Sequence, residues 1–511
     1  MYAQAPAIQW QKSYGGTNNE FASSIKKTTD GGYILAGATT SNDGNVTGNH
    51  GTYDYWIVKI DMNGSILWQK TYGGFLHDRA LDIIQTLDGG FIIAGNTDSA
   101  GNNDIGQGFQ MDDFWIVKTD TIGNIQWQKC YGGSQRDIPH SIQQTFDGGY
   151  IVAGESNSHD GDVIGNHSFG NYMDYWVIKL DSTGTLQWQK CYGGLNIDVA
   201  YDIHQTKDSG YIIAGYASSV DGDLTAHKGY DDYWVIKTNS TGFIQWQKSM
   251  GGTSAERASS IEQTFDGGYI VAGYTDSNDS DVTGYHSIPL NNPSDYWIIK
   301  LDSLGSFQWK KCYGGYENDL GYTIKQTQEG GYIVAGRSNS TDGDVTGNHF
   351  GGDYWILKLD ALGIIQWENC YGGSGDEGAV SFSPGNYLEL TTDGGFILSG
   401  SSNSTDGDVT GNHGNLDYWI VKLESTIGIN EINNKNNVTI YPNPSESQLY
   451  IKFTADQAEI SITDIVGREI KKVLLTNEKN PIDVSDLREG LYNVSVKTKN
   501  YFITKRVFVQ H

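Results

Sequence analysis

The chain has 511 residues, with 34 Lys and Arg against 61 Asp and Glu, a formal net charge of -27. That balance excludes a partner held through nucleic-acid phosphates, which needs basic patches that release counterions, and no apolar run is long enough to cross a membrane as a helix. The 66 Gly run through the whole chain and signal many tight turns, while 14 Trp, 32 Tyr and 16 Phe against 8 Pro argue for a packed aromatic core rather than disorder.

Residues 1–7, Met1-Tyr-Ala-Gln-Ala-Pro-Ala7, lack the charged and apolar regions of a signal peptide and read as the stub left around a cleavage site. From residue 8 onward the chain repeats itself, and repeats decide a fold before any local pattern does. Two tryptophan families account for all 14. One lies in or close to the frame I-x-W-Q-K: Trp10, Trp68, Trp127, Trp188, Trp246, Trp309 and Trp367. The other lies in D-Y/F-W-x-x-K: Trp56, Trp115, Trp176, Trp234, Trp297, Trp355 and Trp419.

Four strands are predicted per repeat. A Gly-Gly pair leads into strand a (258–264 is one example), a D-G-G turn into strand b (269–273), and a long polar loop into strand c, the D-Y-W run. An L-D-x-x-G turn then returns the chain into strand d, I-x-W-Q-K. Strand c carries apolar residues on both faces, as expected of sheets stacked face to face. The c-strand Trp precedes the d-strand Trp by 12 residues throughout, whereas the b–c loop varies in length. The seventh repeat also carries an insertion around Ser383-Pro-Gly-Asn386.

Seven repeats of four antiparallel strands predict an all-β fold, a seven-bladed β-propeller over residues 8–424. The chain opens on a d-strand without a c-strand before it, Ile8–Lys12. It loses the pattern after Leu423, with Glu431 standing where a Trp is due. An N-terminal strand closing the last blade explains both defects and removes two exposed edges; an open solenoid explains neither. Cys130, Cys191, Cys312 and Cys370 share one repeat position, so they fall on different blades, beyond bridging distance. They read as small buried residues.

After Glu424 the composition shifts. Residues 425–437 form an Asn-rich linker, and residues 438–511 are nearly neutral and alternate in short strands that fit a small β-sandwich. Tyr441-Pro-Asn-Pro444, Ile462-Thr-Asp-Ile-Val-Gly-Arg468, Ile482 to Tyr492 and a Lys-containing last strand follow in order. This segment resembles the type A C-terminal sorting domain carried by substrates of the type IX secretion system of Bacteroidota. The resemblance implies an Ig-like sandwich, recognition by the type IX machinery, and export followed by release or attachment at the cell surface. It supplies an address and no activity.

The a–b and c–d turns are minimal, which makes the b–c/d–a side the expected binding face. An acid stands four residues after each Gly-Gly pair: Glu20, Asp78, Asp137, Asp198, Glu256, Asp319 and Glu377. These seven are expected to ring the channel mouth, either as a cation or ligand site or, with more weight, as acceptors that build each blade. The D-G-D stretch of the b–c loop gives Asp160 and Asp162, Asp221 and Asp223, Asp342 and Asp344, Asp406 and Asp408. Alternate carboxylates beside Gly resemble half of a calcium loop, without the far bidentate Glu, and the scaffold reading again outweighs calcium. The loop His and Asp, taken with the c-strand Trp, resemble the structural tetrad of WD-repeat propellers. The blade-specific residues His77, Arg79, Arg136, His140, His204 and Arg257 are the candidates for an acidic-glycan site. No catalytic motif is present. The reading is a non-catalytic module for a glycan or protein ligand, with a polysaccharide-active enzyme and a structural surface protein as alternatives.

Overall fold

The structure is a computed structural model. It describes residues 4–99, 111–168, 170–286, 293–378 and 385–425 of one unit, and 439–442, 445, 447–453, 457–464, 468–476, 481–498 and 502–510 of another. The two units are Met1–Thr426 and Ile427–His511. The predicted linker lies outside the described residues except for Ser425, and so do Ser383 and Pro384 of the insertion.

The third repeat shows how one blade forms. Strands Asp137–Gln144, Tyr150–Ser156, Asp174–Leu180 and Leu186–Tyr192 pair antiparallel in chain order. At the D-G-G turn the Asp147 carboxylate accepts from Thr145 Oγ1 and from the Gly149 amide, and Gly148 takes φ 82°. That φ suits Gly and few other residues. Lys179 of strand c reaches the same carboxylate at 3.0 Å, which ties the K of D-Y-W-x-x-K to the D of D-G-G. The pair recurs as Lys59–Asp30, Lys237–Asp208 and Lys300–Asp266.

Strand c is buried along its full length in every repeat. Its alternate residues pack on the two neighbouring sheets: Tyr175 and Val177 share a core with Ala200, Ile203 and Trp234, while Trp176 and Ile178 share one with Phe114 and Ile116. All seven c-strand Trp are fully buried, each stabilising its junction by roughly 3 kcal/mol of apolar burial. The c-strand Tyr donates its hydroxyl to the Trp carbonyl of the next sheet, Tyr175 to Trp234 at 3.0 Å for example. The Gly of strand b makes room for that hydroxyl, since a Cβ on Gly215 would stand 2.8 Å from it.

The described residues of the first unit form six four-stranded antiparallel sheets and one of five strands. The last is completed by the N-terminal strand Ile8–Tyr14, paired antiparallel with Asp417–Leu423. Its strand a comes in two pieces, Glu377–Gly378 and Leu388–Leu390. Tyr418 donates to the Trp56 carbonyl at 3.0 Å, joining the last sheet to the first. Part of the predicted stub belongs to this sheet as well. Pro6 accepts from the Tyr371 hydroxyl at 2.6 Å, as Gly184 of a c–d turn accepts from Tyr131, and Ala7 accepts from the Glu424 amide.

The second unit holds a sheet of three strands and one of four. Gln448–Lys452 and Ala458–Thr463 alternate buried and more accessible residues, and Leu449, Ile451, Ile460, Val494 and Val507 meet in one core. The described residues contain no helix.

Candidate functional site

Six of the innermost strands carry a register shift at one shared place: Ala22/Ser24, Ala80/Asp82, Pro139/Ser141, Ala200/Asp202, Ala258/Ser260 and Gly321/Thr323. The residue passed over is Ser23, Leu81, His140, Tyr201, Ser259 or Tyr322. A bulge re-aims a side chain and is common beside binding sites. Here the backbone is repetitive and the side chain is not. The neighbouring sixth position of strand b varies too, with Glu155, Tyr216 and Tyr274 on consecutive blades.

These positions assemble a cluster over the third to fifth blades. The His140 ring lies 5.0 Å from Tyr201, and Tyr201 lies 5.8 Å from Tyr216. The Arg257 guanidinium stands 4.7 Å over the Tyr216 ring while its Nη2 and Nε reach Asp231 at 2.7 and 2.9 Å. His140 Nε2 lies 3.6 Å from Glu155. Burial pushes the Tyr201 and Tyr216 phenols above the usual range, so both stay protonated donors. A smaller cluster joins the first two blades: Arg79 stands 4.8 Å over Tyr53, and His77 packs 5.4 Å from that ring with Nδ1 3.1 Å from Asp98. Arg136 pairs with Asp112 at 3.2 Å. His204 does not belong to this face. It is the penultimate residue of its strand, beside Asp202 at the D-G-G end.

The expectation of an acid ring at the mouth is corrected by burial. Glu20, Asp78, Asp137, Asp198, Glu256, Asp319 and Glu377 are all fully buried. Each accepts the amide of its own Gly-Gly pair: Gly16 to Glu20, Gly74 to Asp78, Gly133 to Asp137, Gly194 to Asp198, Gly252 to Glu256, Gly315 to Asp319 and Gly373 to Glu377. Hydroxyls on or just after strand b complete most of these sets, as Ser219 does for Asp198 at 2.7 Å. Each acid also faces the c-strand Asp of the preceding blade. A Cβ on Gly193 would stand 2.6 Å from Asp174 Oδ1 and 2.7 Å from Asp198 Oδ2, so only Gly fits between the two carboxylates. Burial, with the like charge of Asp174 behind it, raises Asp198 to about 7, and Glu256 and Asp319 also stand at about 7.

The D-G-D carboxylates are latches as well. Asp160 accepts from the Ser134 amide, Asp221 from Leu195, Asp342 from Tyr316 and Asp406 from Ser374. Asp162, Asp223, Asp344 and Asp408 accept from the first Gly of the Gly-Gly pair, at 3.2 to 3.4 Å. Most of the loop histidines cap the c-strand Asp, as His167 does for Asp174 at 2.9 Å, and in the fourth blade the Lys228 amide does so instead. Among the described residues no group of three or more His, Cys, Asp or Glu could hold a metal. The four cysteines are free thiols, and burial pushes Cys130 up to about 12.

The sequence reading singled out His140 and Arg257 and missed Tyr201, Tyr216, Ser259, Tyr274 and Asp231. Their signal is difference between aligned repeats at a fixed strand position, which a search for recurring residues passes over.

Residues 439–510 match the model of the secretion system C-terminal sorting domain. That defines a class: the chain is addressed by type IX secretion, the route of Bacteroidota, and is exported to the cell surface or released. Elsewhere it is 29% identical over 159 residues to regulatory protein FlaEY of Caulobacter vibrioides, covering 30% of this chain and 16% of that one. Among solved structures it is similar to puromycin hydrolase (TM-score 0.42, 9% identity, 88% of this chain and 61% of that chain). It is also similar to PorZ, a bacterial surface component of the type IX secretion system of Porphyromonas gingivalis (TM-score 0.17, 11% identity, 100% and 87%).

Proposed function

We propose that residues 8–424 form a seven-bladed β-propeller that binds an extracellular glycan or surface protein at the b–c/d–a mouth, joined to an Ig-like sorting domain that the type IX machinery recognises. The closing strand Ile8–Tyr14, the Tyr418–Trp56 hydrogen bond and the contacts between successive innermost strands support the ring. Two sheets sharing one core support the sandwich.

The observation that carries the binding reading is the blade-specific set His140, Tyr201, Tyr216 and Arg257, gathered where the seven-fold pattern breaks. Binding needs unlike residues at one place, whereas a scaffold needs like ones at seven. The D-G-D loops belong to the scaffold in this reading, and calcium remains their alternative occupant. The test is an array of extracellular polysaccharides and surface proteins probed with the full chain, with calcium and with chelator. Binding that survives chelation and is lost in the Tyr216→Ala/Arg257→Ala double variant is expected. Loss on chelation would return the D-G-D loops to the site, and appearance of new reducing ends would make the protein an enzyme.

A further inference from the structure

We propose that the mouth over the third to fifth blades takes an uncharged saccharide, one pyranose ring of which lies on Tyr201 with its hydroxyls on Ser259, Tyr274 and the Arg257–Asp231 pair. This rests on the binding reading above and narrows it to a ligand class.

The charge of the site disfavours an acidic glycan first. Arg257 is the cation of this cluster that an anionic ligand would seek, and both Nη2 and Nε already face Asp231 at 2.7 and 2.9 Å. Its plane is covered by Tyr216 at 4.7 Å, and Tyr274 shares a hydrogen bond with it. An incoming carboxylate or sulfate would reach only the remaining N–H groups of Arg257, against the like charge of Asp231 beside it. Glu155 and Asp276 add negative charge nearby, and the whole chain carries -27. A field of that sign repels polyanions.

The remaining groups match a neutral sugar. A pyranose presents an apolar C–H face and a rim of vicinal hydroxyls. The Tyr201 ring, partly exposed and packed 5.8 Å from the buried Tyr216, supplies the apolar surface and keeps a polar tip. A guanidinium–carboxylate pair supplies donors and an acceptor side by side, the arrangement that two adjacent hydroxyls satisfy together. Ser259 gives the independent sign that a partner is missing. It occupies the bulge of the fifth blade, is 6% exposed, and its Oγ has no hydrogen-bond partner. A buried hydroxyl left unpaired costs free energy unless something hydrogen-bonds to it.

The experiment is calorimetric titration of the full chain with cellohexaose, laminarihexaose and mannohexaose as neutral probes, and with oligogalacturonate and alginate oligomers as acidic ones, at low and high salt. One neutral probe is expected to bind with an affinity that salt leaves unchanged. Tyr201→Ala should weaken it about tenfold. Ser259→Ala, which removes the hydroxyl and little else, should weaken it as well, and Leu304→Ala, on an exposed c–d turn, should not. Melting curves of each variant separate loss of the site from loss of the fold. Binding of acidic probes alone, abolished by Tyr201→Ala, would overturn this inference and leave the binding reading intact. Neutral binding indifferent to both mouth variants would overturn the assignment to these residues. Absence of binding by every saccharide here and on the array would overturn both for glycans.

Discussion

Asp174 and Asp198 show what a repeated acid does in this fold. Their Oδ1 and Oδ2 atoms converge on Gly193 across a blade junction, and Asp174 Oδ1 has no hydrogen-bond partner. Burial raises both carboxyls, Asp174 to about 6 with the like charge of Asp223 added, and Asp198 to about 7 with that of Asp174 added. The unfolded chain gives up these protons near pH 4, while the native state keeps them to pH 6 or 7. The stability these two groups contribute is therefore full below about pH 4 and is lost as the pH rises through that window. The melting temperature should fall between pH 5 and pH 8, and a flat profile would remove this account. Asp174→Asn, which sets an amide where the unpartnered oxygen stands, should weaken the dependence. The column of seven acids was plain in the sequence, but its direction was not. Strand periodicity places a residue on a face without saying whether a neighbouring blade covers it, so the sequence left a mouth site open beside the favoured reading of blade-building acceptors, which the Gly-Gly amides match.

Among the elements, strands a to d were legible because each turn carries its own chemistry, Gly148 with Asp147 at one end and Gly184 with Asp181 at the other. The bulge in strand a was not legible. It is set by pairing with strand b, as at Ala200/Asp202, and nothing local in the chain marks it. The Gly-Gly pair was visible as a repeat, and its cause emerges only from the two carboxylates it separates. Gly193→Ala should cost about 2 kcal/mol by crowding a packed junction, read as a shift in denaturation midpoint at constant slope. Strand Ile8–Tyr14 makes a second prediction. Without residues 1–14, the amides of Asp417–Leu423 should lose their protection from hydrogen exchange, while those of Asp174–Leu180 keep theirs. Equal protection in both strands would mean that closure contributes little.

On the scale of the whole molecule, address and activity are separate. Residues 439–510 carry the sorting domain, and deleting them should abolish delivery to the surface and the medium, read by cell fractionation. Normal delivery of the shortened chain would place the signal elsewhere. The sorting segment was legible because its motifs are contiguous, whereas the candidate site draws on three blades and on residues from His140 to Tyr274. The closing strand has a consequence of its own. Ile8 pairs with Leu423, so the two ends of the first unit lie side by side where every other blade has a short turn. Topologically the unit is a circle with one cut in it, and the cut need not be where it is. Joining residue 423 to residue 8 and opening the chain at any other c–d turn should give a circular permutant with the same sheets.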